Sequence, residues 1–323
     1  FIKKESDLNL YIFTLALFQF AGNVLMWLGL KKYINFINIK KWHPLKNLKI
    51  CMQLFLPTIA TQLFSIIDKS MIGWITKSPT ENGYYEQSLK IIEMILVLIT
   101  TLGTVFIPTI SREYKNGNKD KIIKVLDNLI EFVFFIGTPL LFGLIIISNT
   151  FVPIFFGEEY AKSAEILKVL STLFVFMGLS NVIGQQYLVS TNQQMIHTKF
   201  LIIGGFTNVF LNIIFIHMYK ATGAAIGTAI GEMVVVFLEI CYLNKTNQYS
   251  IINIIKKIWK YILSSIVMSI IVYNILKISN NNIVGIIISI IFGILIYFAV
   301  LILLRSRFLL EQIKNFKKNG IKK

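Results

Sequence analysis

Between Leu8 and Leu304 the sequence repeats one element, an apolar run of about twenty residues, the length that carries an α-helix across the hydrocarbon core of a bilayer. Nine such runs follow one another: Leu8 to Leu30, Ile50 to Ile75, Gln87 to Ile110, Leu129 to Ile147, Ile166 to Val189, Phe200 to Tyr219, Ala221 to Leu243, Tyr261 to Leu276, and Ile283 to Leu304. They are too long for membrane strands and lack the polar/apolar alternation of a barrel. In lipid a helix alone satisfies its own backbone hydrogen bonds, so the expected fold is all-α, with about nine transmembrane helices. Only 15% of the residues are charged, against about 25% in a typical soluble domain. That leaves no material for a soluble catalytic domain. The segment before Leu8 is no basic leader and the first run lacks a small-residue cleavage site, so it reads as a spanning helix rather than a signal peptide. The chain, which opens on Phe1, is expected to be part of a longer protein.

Lys and Arg positions orient the helices. Most of the 32 basic residues lie in alternate connections: Lys31 to Lys49, Arg112 to Lys124, Lys199, Lys245 to Lys260, and the tail from Arg305. The opposite connections hold only Lys3, Lys4, Lys77, Lys162, Lys220 and Lys277. The first set is expected to face the cytoplasm, with the carboxyl terminus inside. The formal net charge of +16 thus reflects the positive-inside pattern and attraction to anionic lipid heads, and no nucleic-acid partner is expected. The tail Arg305 to Lys323, with Phe308, Leu309, Leu310, Ile313 and Phe316 interspersed, reads equally as a segment lying on the inner membrane surface and as a solvated basic tail.

Several chemistries drop out. Cys51 and Cys241 fit no metal spacing, and His43, His197 and His217 stand alone, so no metal site is expected. No GxxxxGK[ST] motif is present, so the chain is not in itself an ATP-driven pump subunit. No cofactor and no catalytic residue are expected.

Charged groups inside spans are costly, and they face a partner or a watery cavity. The second span carries Asp68 and Lys69, the third Lys90 and Glu93. The two spans form a hairpin, and at about 1.5 Å per residue Lys69 and Glu93 come to the same depth, roughly 9 Å below its outer end. Gln62, Ser65 and Lys69 share one helix face, and Glu86, Lys90 and Glu93 another. An ion-pair network bordering a cavity is one reading; a structural salt bridge between neighbouring helices is the other, and Lys90 also suits snorkelling. Lys168 lies in the fifth span, as do Asn181, Gln185 and Gln186; Asn208 and Asn212 share a face of the sixth. Such amides either tie helices together or line a cavity. Gly223, Gly227 and Gly231, four residues apart, make a smooth ridge for a close helix. Glu232 follows on a face with Thr228 and Glu239 and is, with Asp68, a candidate for cation or proton coupling. Pro57, Pro108 and Pro139 interrupt helix ladders, as the broken helices of transporters do.

The stretch LPTIATQLFSIIDKSMIGWI, the GYY of Gly83 to Tyr85, and SLKIIEMILVLITTLGTVFIPTISREY together resemble the start of the second lobe of polysaccharide flippases, the oligosaccharide repeat-unit exporters of the multidrug/oligosaccharidyl-lipid/polysaccharide transporter superfamily. Pro57, Asp68, Lys69, Gly73, Gly83, Tyr85, Pro108 and Ser111 carry the match, and FVPIFFGEEYAKSAEILKVL and GAAIGTAIGE extend it, so that it spans roughly Leu48 to Leu243. The resemblance implies a two-lobed, MATE-like fold whose helices six to fourteen are those read here. Residues 1–30 become the last helix of the first lobe, 31–49 a cytoplasmic inter-lobe linker, 50–243 the second six-helix lobe, 244–304 two extra helices and 305–323 the tail. It implies export of an undecaprenyl-pyrophosphate-linked oligosaccharide or polysaccharide repeat unit, with polysaccharide-assembly proteins as candidate partners. Gln62, Asp68, Lys69, Lys90, Glu93, Lys168, Asn181, Gln185, Asn208 and Asn212 are then candidates to line the substrate cavity, the lysines meeting pyrophosphate or acidic sugars. A cation-coupled multidrug antiporter and a lipid II flippase are alternatives on the same fold. A membrane polymerase or ligase is the alternative of another class, disfavoured by short outer connections. A purely structural assembly subunit is a third.

Overall fold

The computed structural model describes residues 7–30, 44–246, 249, 251–279, 282–306 and 308–309. Of the expected linker 31–49, residues 31–43 lie outside these and residues 44–49 belong to a helix; the tail beyond residue 309 also lies outside them. The described residues form eleven α-helices: α1 (Leu8–Leu30), α2 (Pro44–Thr76), α3 (Pro79–Thr104), α4 (Ile107–Lys115), α5 (Lys119–Phe156), α6 (Ser163–Leu170), α7 (Leu173–Ser180), α8 (Gln194–Tyr219), α9 (Ala221–Lys245), α10 (Ile251–Ile278) and α11 (Ile283–Leu303). A π-helical segment, Asn181–Leu188, continues α7. Among the described residues seven helical stretches are long and apolar enough to cross a membrane, Ser163–Leu188 counting as one.

The chain divides into two compact units, Phe1–Cys51 and Met52–Lys323. In the first, α1 exposes Phe13, Phe18, Phe20 and Trp27, the pattern of a helix clothed by lipid. The second holds the core, where Tyr85, Ile92, Leu126, Leu167, Leu170 and Phe174 are fully buried.

Each of the nine apolar runs contains helix, but the ends differ from those read in the sequence. The third run, read unbroken to Ile110, stops at Thr104 and restarts at Ile107, because Pro108 lies in the first turn of α4 and favours a helix start. The fourth extends on both sides to Lys119–Phe156, since hydropathy marks where lipid ends, not where the helix does. Pro139 sits inside α5 and removes the N–H that Phe135 O would accept. Tyr297 OH of α11 fills that gap, donating to Phe135 O at 2.8 Å. Further bonds fasten α10 to α5. Tyr249 OH and Lys257 Nζ both donate to Asp127, and Lys257 Nζ lies 2.8 Å from Glu131. Burial, and the carboxylate it donates to, hold the Tyr249 phenol above its ordinary value.

The tightest packing joins α8 and α9. They are separated by the single residue Lys220, with φ +53°, and the amino terminus of α9 is capped from α3, Ala221 N donating to Glu81 Oε2 at 3.2 Å. Glu81 also takes Lys162 at 2.6 Å. The glycine ridge of α9 then lies directly on α8. A Cβ at Gly223 would stand 2.0 Å from Phe215 O, and one at Gly227 2.2 Å from Asn212 Oδ1.

At the α4–α5 turn, Glu113 accepts from Asn118 Nδ2 at 2.6 Å and pairs with Lys121 at 3.5 Å. The Asn118 amide holds this carboxyl below its usual range, so the turn keeps its charged acceptor well into acid.

Candidate functional site

The close approach of α8 to α9 brings two amides against the α2–α3 hairpin. Asp68, 1% exposed, does not join the ion-pair network expected from its neighbours. It turns inward into a shell of neutral donors. Oδ2 accepts from Tyr85 OH at 2.8 Å and from Thr228 Oγ1 at 2.7 Å, and Oδ1 accepts from Asn212 Nδ2 at 2.6 Å. Asn208 completes the group: its Oδ1 accepts from Asn212 Nδ2 at 3.3 Å and its Nδ2 donates to Thr228 at 3.4 Å. Asn208 and Asn212 are fully buried. Asn212 Oδ1 has no hydrogen-bond partner among the described residues.

One carboxylate, two carboxamides and two hydroxyls gather here around a single formal negative charge, and each of the four neutral side chains carries an oxygen. Hard cations take oxygen ligands, and one charge suits a monovalent ion better than a divalent one. The orphaned Asn212 Oδ1 supplies an acceptor that an ion would use. Among the described residues no group of three His, Cys, Asp or Glu side chains comes together as a transition-metal site would need.

The charges of the hairpin are arranged differently from the expectation. Lys69 lies 3.8 Å and Lys90 3.3 Å from Glu86 Oε1; the side chains are about two-fifths to half exposed. Glu93 is exposed and takes part in no ion pair among the described residues. Depth alone had paired Lys69 with Glu93. The helix crossing instead sets Asp68 against Tyr85 on the inside and Lys69 against Glu86 on the outside, because Asp68 and Lys69, like Tyr85 and Glu86, are neighbours in sequence and so point about 100° apart around their helices. Two lysines share one acid, and Glu93 stands exposed about one turn further along α3, so this surface offers half-exposed cations beside an acid that pairs with neither of them.

The other expected residues scatter. Gln62 and Gln185 are exposed and Lys168 is half-buried; none of them joins the Asp68 group. Asn181 accepts from Gln186 Nε2 at 2.8 Å within the π segment. Gln186 is fully buried over Gly103, where a Cβ would stand 1.8 Å from its Nε2. Glu232 is buried on α9, 5% exposed, one turn beyond Thr228. Tyr85 is a member of the Asp68 group that sequence reasoning had quoted only as part of a resemblance; an aromatic in an apolar run carries no signal of the acid it will meet.

A second, chemically opposite feature borders the same helix. A cavity of about 720 Å³ lies among α3, α5, α10 and α11, lined by Ile91, Met94, Pro139, Gly143, Gly293 and other apolar residues, Ser289 and Tyr297 being the few with a polar atom. It is half open. Lys90 therefore stands next in sequence to a residue of a greasy groove.

The sequence matches the family described as Lipid II flippase MurJ over residues 5–322. It is 25% identical over 252 residues to the probable low-salt glycan biosynthesis flippase Agl15 of Haloferax volcanii, which covers 76% of this chain and 52% of that protein. It is 24% identical over 243 residues to the putative O-antigen transporter of Escherichia coli, covering 75% and 56%. A solved lipid II flippase MurJ in an inward closed conformation has the same fold over 88% of this chain and 60% of that one, with TM-score 0.69 at 21% identity. The chain thus spans about half the length of the curated relatives it matches.

Proposed function

Since the chain belongs to the lipid II flippase MurJ family, matched along nearly its whole length, we propose that it is the carboxyl-terminal working half of a flippase for lipid-linked saccharides. The substrate class is an oligosaccharide or polysaccharide repeat unit on an undecaprenyl-pyrophosphate carrier. It moves from the inner to the outer leaflet of the bacterial cytoplasmic membrane. In this reading residues 50–243 form the second lobe, residues 244–304 two further helices, and the carboxyl terminus is cytoplasmic. Lipid II itself is the second reading, favoured by the family match and sharing the same headgroup chemistry.

The observation that carries the reading is that α3 borders two surfaces of opposite chemistry. Lys90, with Lys69 and Glu86, offers half-exposed positive charge, while Ile91, Met94 and Ile95 line the apolar groove. A saccharide pyrophosphate cannot enter hydrocarbon without losing its water, and a polyprenyl chain has no reason to leave it. In this proposal the lysines meet the pyrophosphate with charge-assisted hydrogen bonds, and Glu86, paired with both, offsets their mutual repulsion until the anion arrives. The groove keeps the tail. Asp68, with Asn208, Asn212 and Thr228, takes the coupling cation, Na⁺ or H⁺, and the two lobes alternate access around the headgroup.

The test is leaflet-to-leaflet transfer of a dansylated undecaprenyl-pyrophosphoryl disaccharide by the full-length protein in liposomes. Transfer by wild type, and a fall of about tenfold or more in the Lys69→Ala, Lys90→Ala double variant, are expected, since each lost charged hydrogen bond is worth about 1.5–3 kcal/mol. Normal transfer by that variant removes the anion role, and extrusion of organic cations without transfer of the probe indicates a drug antiporter instead.

The groove makes a separate prediction. Gly143 has room for a side chain, an added Cβ making only an ordinary contact with Met268 Cε at 3.8 Å. Gly143→Leu is expected to fill the groove and weaken binding of the tailed probe roughly tenfold, about 1.4 kcal/mol. Binding of a tail-free saccharide pyrophosphate, read by calorimetry, should be unchanged; equal loss for both ligands would mean that the groove does not hold the tail.

A further inference from the structure

Towards its carboxyl end α9 carries an acid that neither the headgroup surface nor the Asp68 group uses. Glu239 is fully buried. Its Oε1 lies 2.8 Å from His197 Nδ1 of α8 and accepts from Ser180 Oγ of α7 at 3.4 Å. Its Oε2, equally buried, has no hydrogen-bond partner among the described residues. The pair fits because the π segment leaves a hole beside it: a Cβ at Gly184 would stand 2.1 Å from His197 Cε1 and 2.6 Å from Glu239 Oε1. Short π segments recur at functional sites, and here the segment presents a glycine where any side chain would expel the imidazole.

Charge balance gives the site its chemistry. The 2.8 Å contact needs one proton on the line between Nδ1 and Oε1. With that proton alone the pair carries one net negative charge. The ionisable groups acting on it are His197 from α8, Glu232 on its own helix and, beyond Glu232, Asp68 from α2. The faces of α7 and the π segment that meet it present Ser180 and Gly184. Among the described residues neither Glu239 nor Glu232 has a lysine or arginine within ion-pair distance. An unbalanced charge buried among spanning helices is expensive. A second proton, taken from water onto Glu239 Oε2, makes the pair neutral and turns the orphaned atom into a hydroxyl.

The placement suits exchange. Glu239 lies six residues before the end of α9 and His197 three after the start of α8, roughly 9 Å and 5 Å along their axes from those ends. In the other direction Glu232 follows after about 10 Å, and Thr228 with Asp68 one turn further. The result is a column of ionisable side chains along one face of α9.

Resting on the flippase reading, we propose that the His197–Glu239 pair is a proton-binding site, distinct from the Asp68 group, which takes up and releases one H⁺ in each transport cycle. The experiment uses the full-length protein in liposomes with the dansylated undecaprenyl-pyrophosphoryl disaccharide, under a pH gradient with the membrane potential clamped to zero. In wild type, the ratio of probe between leaflets is expected to shift about tenfold per pH unit for one proton per cycle. Glu239→Gln and, as a second variant, His197→Gln should lose this response while unfolding thermally near the wild-type temperature. Retention of the wild-type pH response by both folded variants overturns the proposal. Independently of transport, infrared difference spectra between acidic and alkaline detergent solutions should show a protonated-carboxyl band that Glu239→Gln removes. Absence of that band overturns the site even if the probe is flipped. A Glu239-dependent band in a protein that never moves the probe upholds the site and rejects the flippase reading.

Discussion

Asp68→Ala is expected to stop transfer of a lipid-linked saccharide almost completely, by about 100-fold or more. The substitution leaves Tyr85 OH, Thr228 Oγ1 and Asn212 Nδ2, all of which now donate to Asp68, facing a void. Thr228 keeps Ala224 O and Asn212 keeps Asn208 as partners, so the buried Tyr85 hydroxyl bears most of the cost, about 1–3 kcal/mol of stability. The substitution also removes the formal charge that a cation would need. Asp68→Asn separates these effects. It keeps the volume but replaces one acceptor by an amide N–H aimed at donors. Wild-type protein in detergent should show a thermal midpoint that rises with Na⁺ at constant ionic strength, as any ligand bound only by the folded state produces. Asp68→Asn should show no such rise, and transfer at the wild-type rate by this variant would mean that the buried carboxylate is only structural.

Gly223→Ala should be among the most damaging added methyl groups at the described glycines. Its Cβ would lie 2.0 Å from Phe215 O and 2.8 Å from Ile216 N. These are backbone atoms of α8 and have no rotamer into which to withdraw. The helices must separate, which draws Asn208 and Asn212 away from Asp68. A loss of about 3 kcal/mol or more is expected, at or above the upper end for overpacking, seen as a large fall in thermal midpoint and in the amount of protein reaching the membrane. Gly83→Ala is the control. Nothing lies within 4 Å of a Cβ there, and a helical Gly→Ala change at an unstrained site stabilises by roughly 0.4–1 kcal/mol. If the two variants behave alike, the close contact of α8 and α9 is not what holds this lobe together.

Parts of the site were legible in the sequence for a definable reason. Asp68, Asn208, Asn212 and Glu232 were singled out because polar groups in hydrocarbon demand partners, and that demand is written into composition. The partners were not. Lys69 and Glu93 share a depth, but depth fixes only one of three coordinates. The rotation of α2 against α3 gave Lys69 to Glu86. The same rotation brought Tyr85, 17 residues away, to Asp68. His197 and Glu239 are 42 residues apart, and nothing in either neighbourhood announces the other. An isolated histidine was reasonably set aside as a metal ligand; its partner is an acid brought near by the packing of α8 on α9. Likewise the glycine ridge foretold a close helix, though not that Asn212 would lie under Gly227.

That this chain is a multi-pass membrane protein with an all-helical fold follows from the order of its residues. The physical reason is one-dimensional: runs of about twenty apolar residues have a single way of satisfying their backbone in lipid. Its resemblance to flippases was likewise readable along the chain. Tertiary structure alone decided which polar side chains meet, that Asp68 faces neutral donors rather than lysine, that an apolar groove opens beside Lys90, and that Glu239 keeps an unmatched oxygen. Those outcomes depend on helix rotation and on crossings set by single glycines and prolines. A change of a few ångströms there exchanges one partner for another without altering the hydropathy of the sequence.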